Sequence, residues 1–449
     1  MEEQQGGFFG FLENHVMGPM GKLAQFKVVR AITAAGMAAV PFTIVGSMFL
    51  VFSILPQAFS FWPIVADIFA ASFDKFTALY MVANYATMGV LSLYFVISLA
   101  YELTKIYAEE EGLNLNPLNG ALLSLMAFVM TVPQIIFDEG AMSALSSLKE
   151  GSVIADGWAI SNGPSRFGTT GIFTAIIMAI VTVLLYRMCV KRNWIIKMPD
   201  SVPEGVSRGF SALIPGFVVA FTVILINGIL VVFGTDIFKV IAIPFGFVGG
   251  LTNSWGGIMI IYLLTQLLWI VGIHGANIVF AFVNPIALAN MVTNAAGTTH
   301  AAVAGEFSNM FVIAGGSGAT LGLCIYIAFA AKSEQLKAIG RASVVPALFN
   351  INEPLIFGLP IIYNPALAIP FITAPMVTAT IYYIVNQLQL IRPVIAQVPW
   401  PTPVGIGAFL GTADLRAVLL ALVCAFAAFF VYFPFIRAYD KKLVAEENM

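Results

Sequence analysis

Phe349-Asn-Ile-Asn-Glu-Pro-Leu-Ile-Phe-Gly-Leu-Pro360 sets a carboxylate, Glu353, inside a long apolar stretch. A charge at the centre of a bilayer costs about 2.5–3.5 kcal/mol on insertion scales. The flanking Asn352 and Pro354 argue against a plain helix there. Polar, helix-broken backbone at membrane depth persists only where it lines a cavity or is buried in protein. The fold therefore turns on whether the surrounding chain spans a membrane. If it does, this segment is the leading functional candidate.

The composition answers the first question. The 449 residues are 59% hydrophobic and only 10% charged, with a mean hydropathy of +0.93. Several apolar runs exceed about 18 residues, enough to be read as membrane-crossing helices. The expected fold is an all-α polytopic membrane protein of about ten transmembrane helices, with re-entrant hairpins and amphipathic interfacial helices. A net charge of −2 on so few charged groups gives no sign of a nucleic-acid partner, and none is expected. Cys189, Cys324 and Cys424 lie in apolar stretches without a CxxC pair, so neither a disulfide framework nor a metal site is expected. No GxxxxGK[ST] loop occurs, which argues against an ATP-driven pump carrying its own motor. The first 30 residues lack an h-region followed by a cleavage site, so no cleaved signal peptide is expected.

Along the chain, residues 7–30 read as an interfacial amphipathic segment. Spans are predicted at 31–55, 79–104, 117–137, 168–190, 210–233, 256–274, 310–331, 366–389 and 413–437. Residues 276–292 are apolar but interrupted by Asn284-Pro285. Positive charge concentrates on cytoplasmic loops. With the N-terminus inside, the cluster from Lys332 to Arg341 is cytoplasmic only if 276–292 also crosses. The count is then ten, residues 342–365 enter and leave on one side, and 15 of the 21 Lys and Arg lie in the cytoplasm. Both termini are expected there. Two halves are expected, 1–234 and 235–449, joined near Gly234. The long outer loop 138–167 ends in the turn-rich Ser161-Asn-Gly-Pro-Ser-Arg166.

Within this frame few side chains carry chemistry. Glu353 can accept two sugar hydroxyls or take a proton from one of them; the plainer alternative is a carboxylate pinning a loop. Asn352 beside it offers donors and acceptors, or caps a helix end. His274 sits in Trp269-Ile-Val-Gly-Ile-His-Gly-Ala-Asn277, where the neighbouring glycines permit close approach and an imidazole exchanges protons near neutrality. Its plain reading is a satisfied core histidine. Trp269 and Trp400 present indole faces suited to the C–H face of a pyranose, or else to a membrane interface. Trp400 stands in the rigid run Gln397-Val-Pro-Trp-Pro-Thr-Pro403. Gly315-Gly-Ser-Gly-Ala-Thr320 lacks the lysine of a phosphate loop and reads as tight helix packing inside the 310–331 span.

Four separated stretches resemble one family. They are Asn350 to Ile362, Gly272-Ile-His-Gly275, Gly315 to Leu323, and Arg192 to Pro203 with the following Ser207 to Gly216. Together they resemble the IIC permeases of bacterial sugar phosphotransferase systems, in the lactose/cellobiose/N,N′-diacetylchitobiose branch. The resemblance covers essentially the whole chain. It implies ten spans with two re-entrant hairpins in a bacterial plasma membrane. It also implies a homodimer formed through the N-terminal half, and one sugar site in each C-terminal half. A β-linked disaccharide would move by an elevator-like displacement, and a separate cytoplasmic IIB phosphoprotein would phosphorylate it at C6. The resemblance places the sugar-binding and catalytic Glu and His on Glu353 and His274, and the stacking aromatics on Trp269 and Trp400. A stand-alone IIC without cofactor or metal is expected. An ion-coupled secondary sugar transporter, with Glu353 as proton site and His274 as relay, is the rival class. A channel or receptor would need a continuous polar pore lining, which the sequence does not display.

Overall fold

A computed structural model describes residues 22, 25–59, 62–72, 76–133, 135–138, 140–144, 165–199, 202–270, 272–359, 361 and 365–448. Most of the amphipathic segment predicted at 7–30 and most of the outer loop lie outside the described residues, and residues 27–30 belong to the first long helix. The chain forms helices α1 (Lys27–Ala58), α2 (Pro63–Ser72), α3 (Thr77–Thr87), α4 (Leu91–Glu111) and α5 (Pro117–Val129). A short antiparallel hairpin follows, β1 (Ile135–Asp138) with β2 (Ala141–Ala144), pairing Ile135 with Ala144 and Asp138 with Ala141. Then come α6 (Ile172–Lys191), α7 (Glu204–Ser211), α8 (Leu213–Val232), α9 (Ile237–Thr252), α10 (Trp255–Ile270) and α11 (Gly275–Ala295). The chain ends with α12 (Leu321–Phe329), α13 (Glu334–Leu348), α14 (Glu353–Gly358), α15 (Pro365–Gln387), α16 (Ile406–Thr412) and α17 (Leu415–Glu447). Among the described residues, seven helices are long and apolar enough to cross a membrane singly, and α9 with α10 make a further, broken stretch.

Residues 276–292, apolar but interrupted by Asn284-Pro285, lie within one continuous helix, Gly275–Ala295, long and apolar enough to cross, as the charge count requires. Two predicted spans differ from what folds. The stretch 117–137 is helical only to Val129 and then turns into the hairpin. The stretch 310–331 is not one continuous helix. A π-helical turn over Ser308–Val312 leads into an irregular loop, and only α12 continues as helix. Four residues in this loop, Gly315, Gly316, Gly318 and Ala319, have positive φ, a conformation that a helix cannot contain.

The chain divides into two compact units. One holds residues 25–46 and 82–249. Its centre is α4 packed on α5 and α6 through buried Leu91, Phe95, Leu99, Leu103, Phe128 and Ala179. Gly120 lets the α4–α5 crossing close up, since a Cβ there would stand 2.0 Å from the Thr104 hydroxyl. Local chemistry sets the helix ends. Asn116 accepts from the Asn119 N–H ahead of Pro117, and Gly112 leaves α4 in the left-handed region. Glu111 gathers Lys27 (3.1 Å), Arg187 (2.8 Å) and Lys191 (2.7 Å). Elsewhere in this unit Arg166 is buried. It pairs with buried Asp236 at 2.8 Å and donates to the carbonyls of Thr131 and Val132.

The other unit holds residues 47–81 and 250–449 among those described. Its core joins Trp269, Ile270, Leu323, Leu355, Ile356, Phe371 and Tyr432. Cys324 lies in this core, and all three cysteines are buried and unpaired. The last helix reaches back to the start of α13. Asp440 accepts from the N–H groups of Lys332 (3.0 Å) and Ser333 (2.8 Å), and Glu447 accepts from the Ser333 hydroxyl (2.6 Å) and the Gln335 N–H (3.2 Å). Carboxylates at a helix N-terminus satisfy its free donors and complement its dipole.

The Arg166–Asp236 pair makes a stability prediction. Removing one partner strands a buried charge, which costs about 3–5 kcal/mol. Arg166→Met should lower the apparent melting temperature in detergent. Arg166→Met with Asp236→Leu should recover part of the loss. Equal melting of the native protein and the single variant would mean that the pair is not buried.

Candidate functional site

Everything the sequence singles out as chemical lies in the second unit. Glu353 is the first residue of α14, and its carboxylate is exposed. Pro354 does not break a helix here. It occupies the first turn, where a missing N–H costs nothing. The break falls one step earlier, where Asn350 adopts φ 60° and closes α13. The N–H of Asn350 bonds to the Ala347 carbonyl and that of Ile351 to Pro346, a left-handed helix stop for which Asn is suited after Gly.

Asn352 is buried and occupies the N-cap position of α14, yet its side chain makes no capping bond. Its amide donates instead to the Ser317 carbonyl at 2.6 Å and to the Thr320 hydroxyl at 2.8 Å. The glycine-rich loop 313–320 is thereby pinned beside the Glu353 segment. Gly316 has no room for more: a Cβ there would stand 2.5 Å from the Asn352 amide. Gly318 is equally tight against Phe371, at 2.3 Å. The expected helix packing at Gly315–Thr320 is thus replaced by a left-handed loop whose carbonyls face amide and hydroxyl donors. Thr320 donates to the Gly315 carbonyl (2.8 Å), and Tyr432 donates to Gly318 (2.8 Å).

His274 caps α11. Its Nδ1 accepts from the Asn277 N–H at 3.3 Å. A nitrogen that accepts carries no proton, so a neutral ring bears its proton on Nε2 and keeps that edge for other work. The ring is exposed and lies 4.4 Å from the Trp269 ring. Trp269 and His274 therefore form a pair, and Trp269 shares its core with Leu355 and Ile356 of the helix that Glu353 begins. Trp269 itself is only 6% exposed, and its indole N–H has no partner among the described residues. Trp400 is 48% exposed. Its carbonyl, with that of Thr402, accepts from the Asn350 side-chain amide at 3.2 Å. The Trp400 segment is thus tied to the turn that precedes Glu353.

Sequence reading passed over Glu306. This carboxylate accepts from Asn309 and Gln397, both at 2.8 Å, and Gln397 belongs to the Trp400 segment. The signal was the one that exposed Glu353, a lone carboxylate in an apolar neighbourhood; its place in a predicted loop concealed it. Among the described residues, α10 also carries a buried amide without a partner, that of Gln266.

Long apolar helices around a carboxylate, an imidazole and an exposed indole, held by irregular backbone, define a multi-pass membrane protein of the transporter class. The family model for the phosphotransferase system EIIC component matches residues 34–375. The chain is 34% identical to the lichenan permease IIC component of Bacillus subtilis (strain 168), over 97% of this chain and 94% of that one. It is 35% identical to the cellobiose-specific EIIC component of Geobacillus stearothermophilus, over 98% and 96%. Among solved structures it matches the transporter ChbC, the IIC component of the N,N′-diacetylchitobiose-specific phosphotransferase system. The TM-score is 0.85 and the identity 34%, covering 98% of this chain and 99% of that one. The chain belongs to the EIIC family of phosphotransferase-system permeases and is a multi-pass membrane protein.

Gly316 supplies a check on the pinned loop. Its φ of 98° and its contact with Asn352 make Gly316→Ala strained twice over. A loss of about 1–3 kcal/mol is expected. Gly205→Ala, in open space on α7, should melt like the native protein. Equal melting of the two variants would remove the case for close loop packing.

Proposed function

We propose that this permease binds a β-linked disaccharide, with cellobiose and N,N′-diacetylchitobiose the leading candidates, and presents it for phosphorylation at C6. The observation that carries the reading is the pairing of Trp269 with exposed His274 in the unit that also holds exposed Glu353, with half-exposed Trp400 tied to the turn that precedes Glu353. The names of the relatives support the substrate class.

In this reading sugar enters from outside and stacks on Trp400, with Trp269 forming the floor beneath His274. Glu353 grips hydroxyls of the non-reducing ring as a charged acceptor. Asn352 acts mainly by holding loop 313–320, since its amide nitrogen is already engaged. The binding unit then carries the sugar inward. A separate cytoplasmic IIB protein docks near the basic 187–208 segment. The C6 oxygen attacks the phosphorus of the IIB phosphocysteine in line, the O–P bond forms and the S–P bond breaks. The thiolate leaves on IIB, and the hydroxyl proton passes to Glu353 or to His274. Charge repulsion between the new phosphate and Glu353 favours release inward. Both termini face the cytoplasm in this scheme, in keeping with Lys441 and Lys442 near the end of α17. Residues 1–234 form the dimerisation half and 235–449 the sugar half. In the first of these, α8 exposes Phe217, Phe221, Ile224 and Ile229, an apolar face that lipid or a second copy covers.

Glu353→Gln keeps the shape and loses the charge. A charge-assisted bond is worth about 1.5–3 kcal/mol, so disaccharide affinity should fall by about ten- to a hundredfold. Phosphoryl transfer from phosphorylated IIB should fall further if Glu353 also takes the proton. Unchanged affinity together with unchanged transfer would sink both roles. In vesicles lacking IIB, accumulation of unmodified sugar driven by an ion gradient would replace this reading with that of a secondary transporter.

A further inference from the structure

We infer that Asn350 is a positioning residue that sets Trp400 against the Glu353 turn without touching sugar itself; the inference rests on the disaccharide reading above. The reasoning begins with the sequence around Trp400. Pro399, Pro401 and Pro403 alternate with it, and proline has no N–H. Alternate residues of this run therefore lack a donor, and the segment cannot hold itself by a backbone ladder. The Thr402 N–H is spent on the Pro399 carbonyl within the run. What the segment offers the rest of the protein is carbonyl oxygens.

Asn350 takes them. Its side-chain amide donates to the carbonyls of Trp400 and Thr402, both at 3.2 Å, and to that of Asn309 at 3.4 Å. Its side-chain oxygen accepts from the Gly315 N–H at 2.9 Å. One side chain thus joins three irregular stretches, 309–315, 350–353 and 400–402. Asn350 is 5% exposed, so it does this from inside the protein and is out of reach of a substrate. The left-handed turn favours Gly, Asn or Asp at this position, and of these only Asn can both donate to the carbonyls and accept from Gly315. A second clamp lies three residues upstream of Trp400, where Gln397 donates to Glu306 at 2.8 Å. Between these two points the Trp400 indole is exposed and its backbone is fixed. An aromatic platform works only at a set distance from the groups that grip hydroxyls. Asn350 sets that distance, since Glu353 is three residues along its own turn.

The test is a double-mutant cycle in the full-length protein. Asn350→Gly keeps the turn and deletes the clamp. Asn350→Asp keeps the acceptor for Gly315 and deletes the donation to Trp400. Binding of cellobiose and of N,N′-diacetylchitobiose is measured by calorimetry, with melting temperature followed in parallel. Loss of the stacking face in Trp400→Ala should weaken binding about tenfold. Asn350→Gly and Asn350→Asp should weaken it to a similar extent while still melting above the assay temperature. Adding Trp400→Ala to Asn350→Gly should cost less than twofold more. A residue of merely structural importance would give losses that multiply. Native affinity in Asn350→Gly, or multiplying losses, overturns the inference and leaves the disaccharide site standing. Native affinity in Trp400→Ala overturns the stacking reading and the inference with it.

Discussion

Backbone polar groups inside an apolar unit must find partners within the protein, because no water is there to serve them. In the second unit this constraint governs the architecture. Helices satisfy their own groups, but the stretches 296–320, 349–353 and 390–405 are largely irregular. Asparagine side chains make up much of the deficit. Asn290 donates to Val303, Asn294 to Ala301 and Val394, Asn350 to Trp400 and Thr402, Asn352 to Ser317, and Asn386 to His300. Hydroxyls finish the work: Thr378 reaches Val312, Tyr382 reaches Ala302 and Tyr432 reaches Gly318. An amide can both donate and accept, so a single Asn closes several gaps at once. Asn294 does so visibly, donating to two carbonyls while its oxygen accepts from the Ala301 N–H at 2.8 Å.

This constraint also divides what the sequence discloses from what it conceals. The membrane class, the helical fold and the oddity of Glu353 follow from hydropathy and the cost of a buried charge, both of which are local properties. Hydropathy cannot distinguish an apolar helix from an apolar loop whose carbonyls are met by distant side chains. That is why 310–331 reads as a span and folds as a π turn, a left-handed loop and a nine-residue helix. The glycines of that loop were noticed, but their positive φ becomes necessary only once Asn352 and Phe371 are known to stand against them. Pro354 misleads in the opposite direction. As a helix-breaker it marks the right place for the wrong reason, since it begins α14 while Asn350 ends α13.

At the site itself, residue types were legible and partnerships were not. Glu353 and His274 stand out as ionisable groups among apolar ones. That Trp269 of α10 lies against the His274 ring and shares a core with α14 depends on tertiary packing. For Asn352 the sequence offers a ligand or a cap; the structure shows no capping bond and an amide that holds a loop. Asn350, two residues earlier, is the more connected of the two, and it drew no notice because an Asn ahead of a turn is ordinary. Connectivity is a tertiary property, which a single sequence does not encode at any one position.

The division of labour among these amides and acids has a physical logic. The buried side chains, Asn350 and Asn352, spend their hydrogen-bonding capacity on backbone and stay neutral, so their burial costs little. The exposed groups, Glu353, His274 and Trp400, are relieved of structural duty, apart from the single capping bond of His274. A carboxylate that anchored a loop would resist a ligand, because binding would break bonds already made. By assigning the anchoring to amides, the unit leaves the Glu353 charge unspent on a frame that is already fixed. Such a frame lowers the ordering cost of recognition.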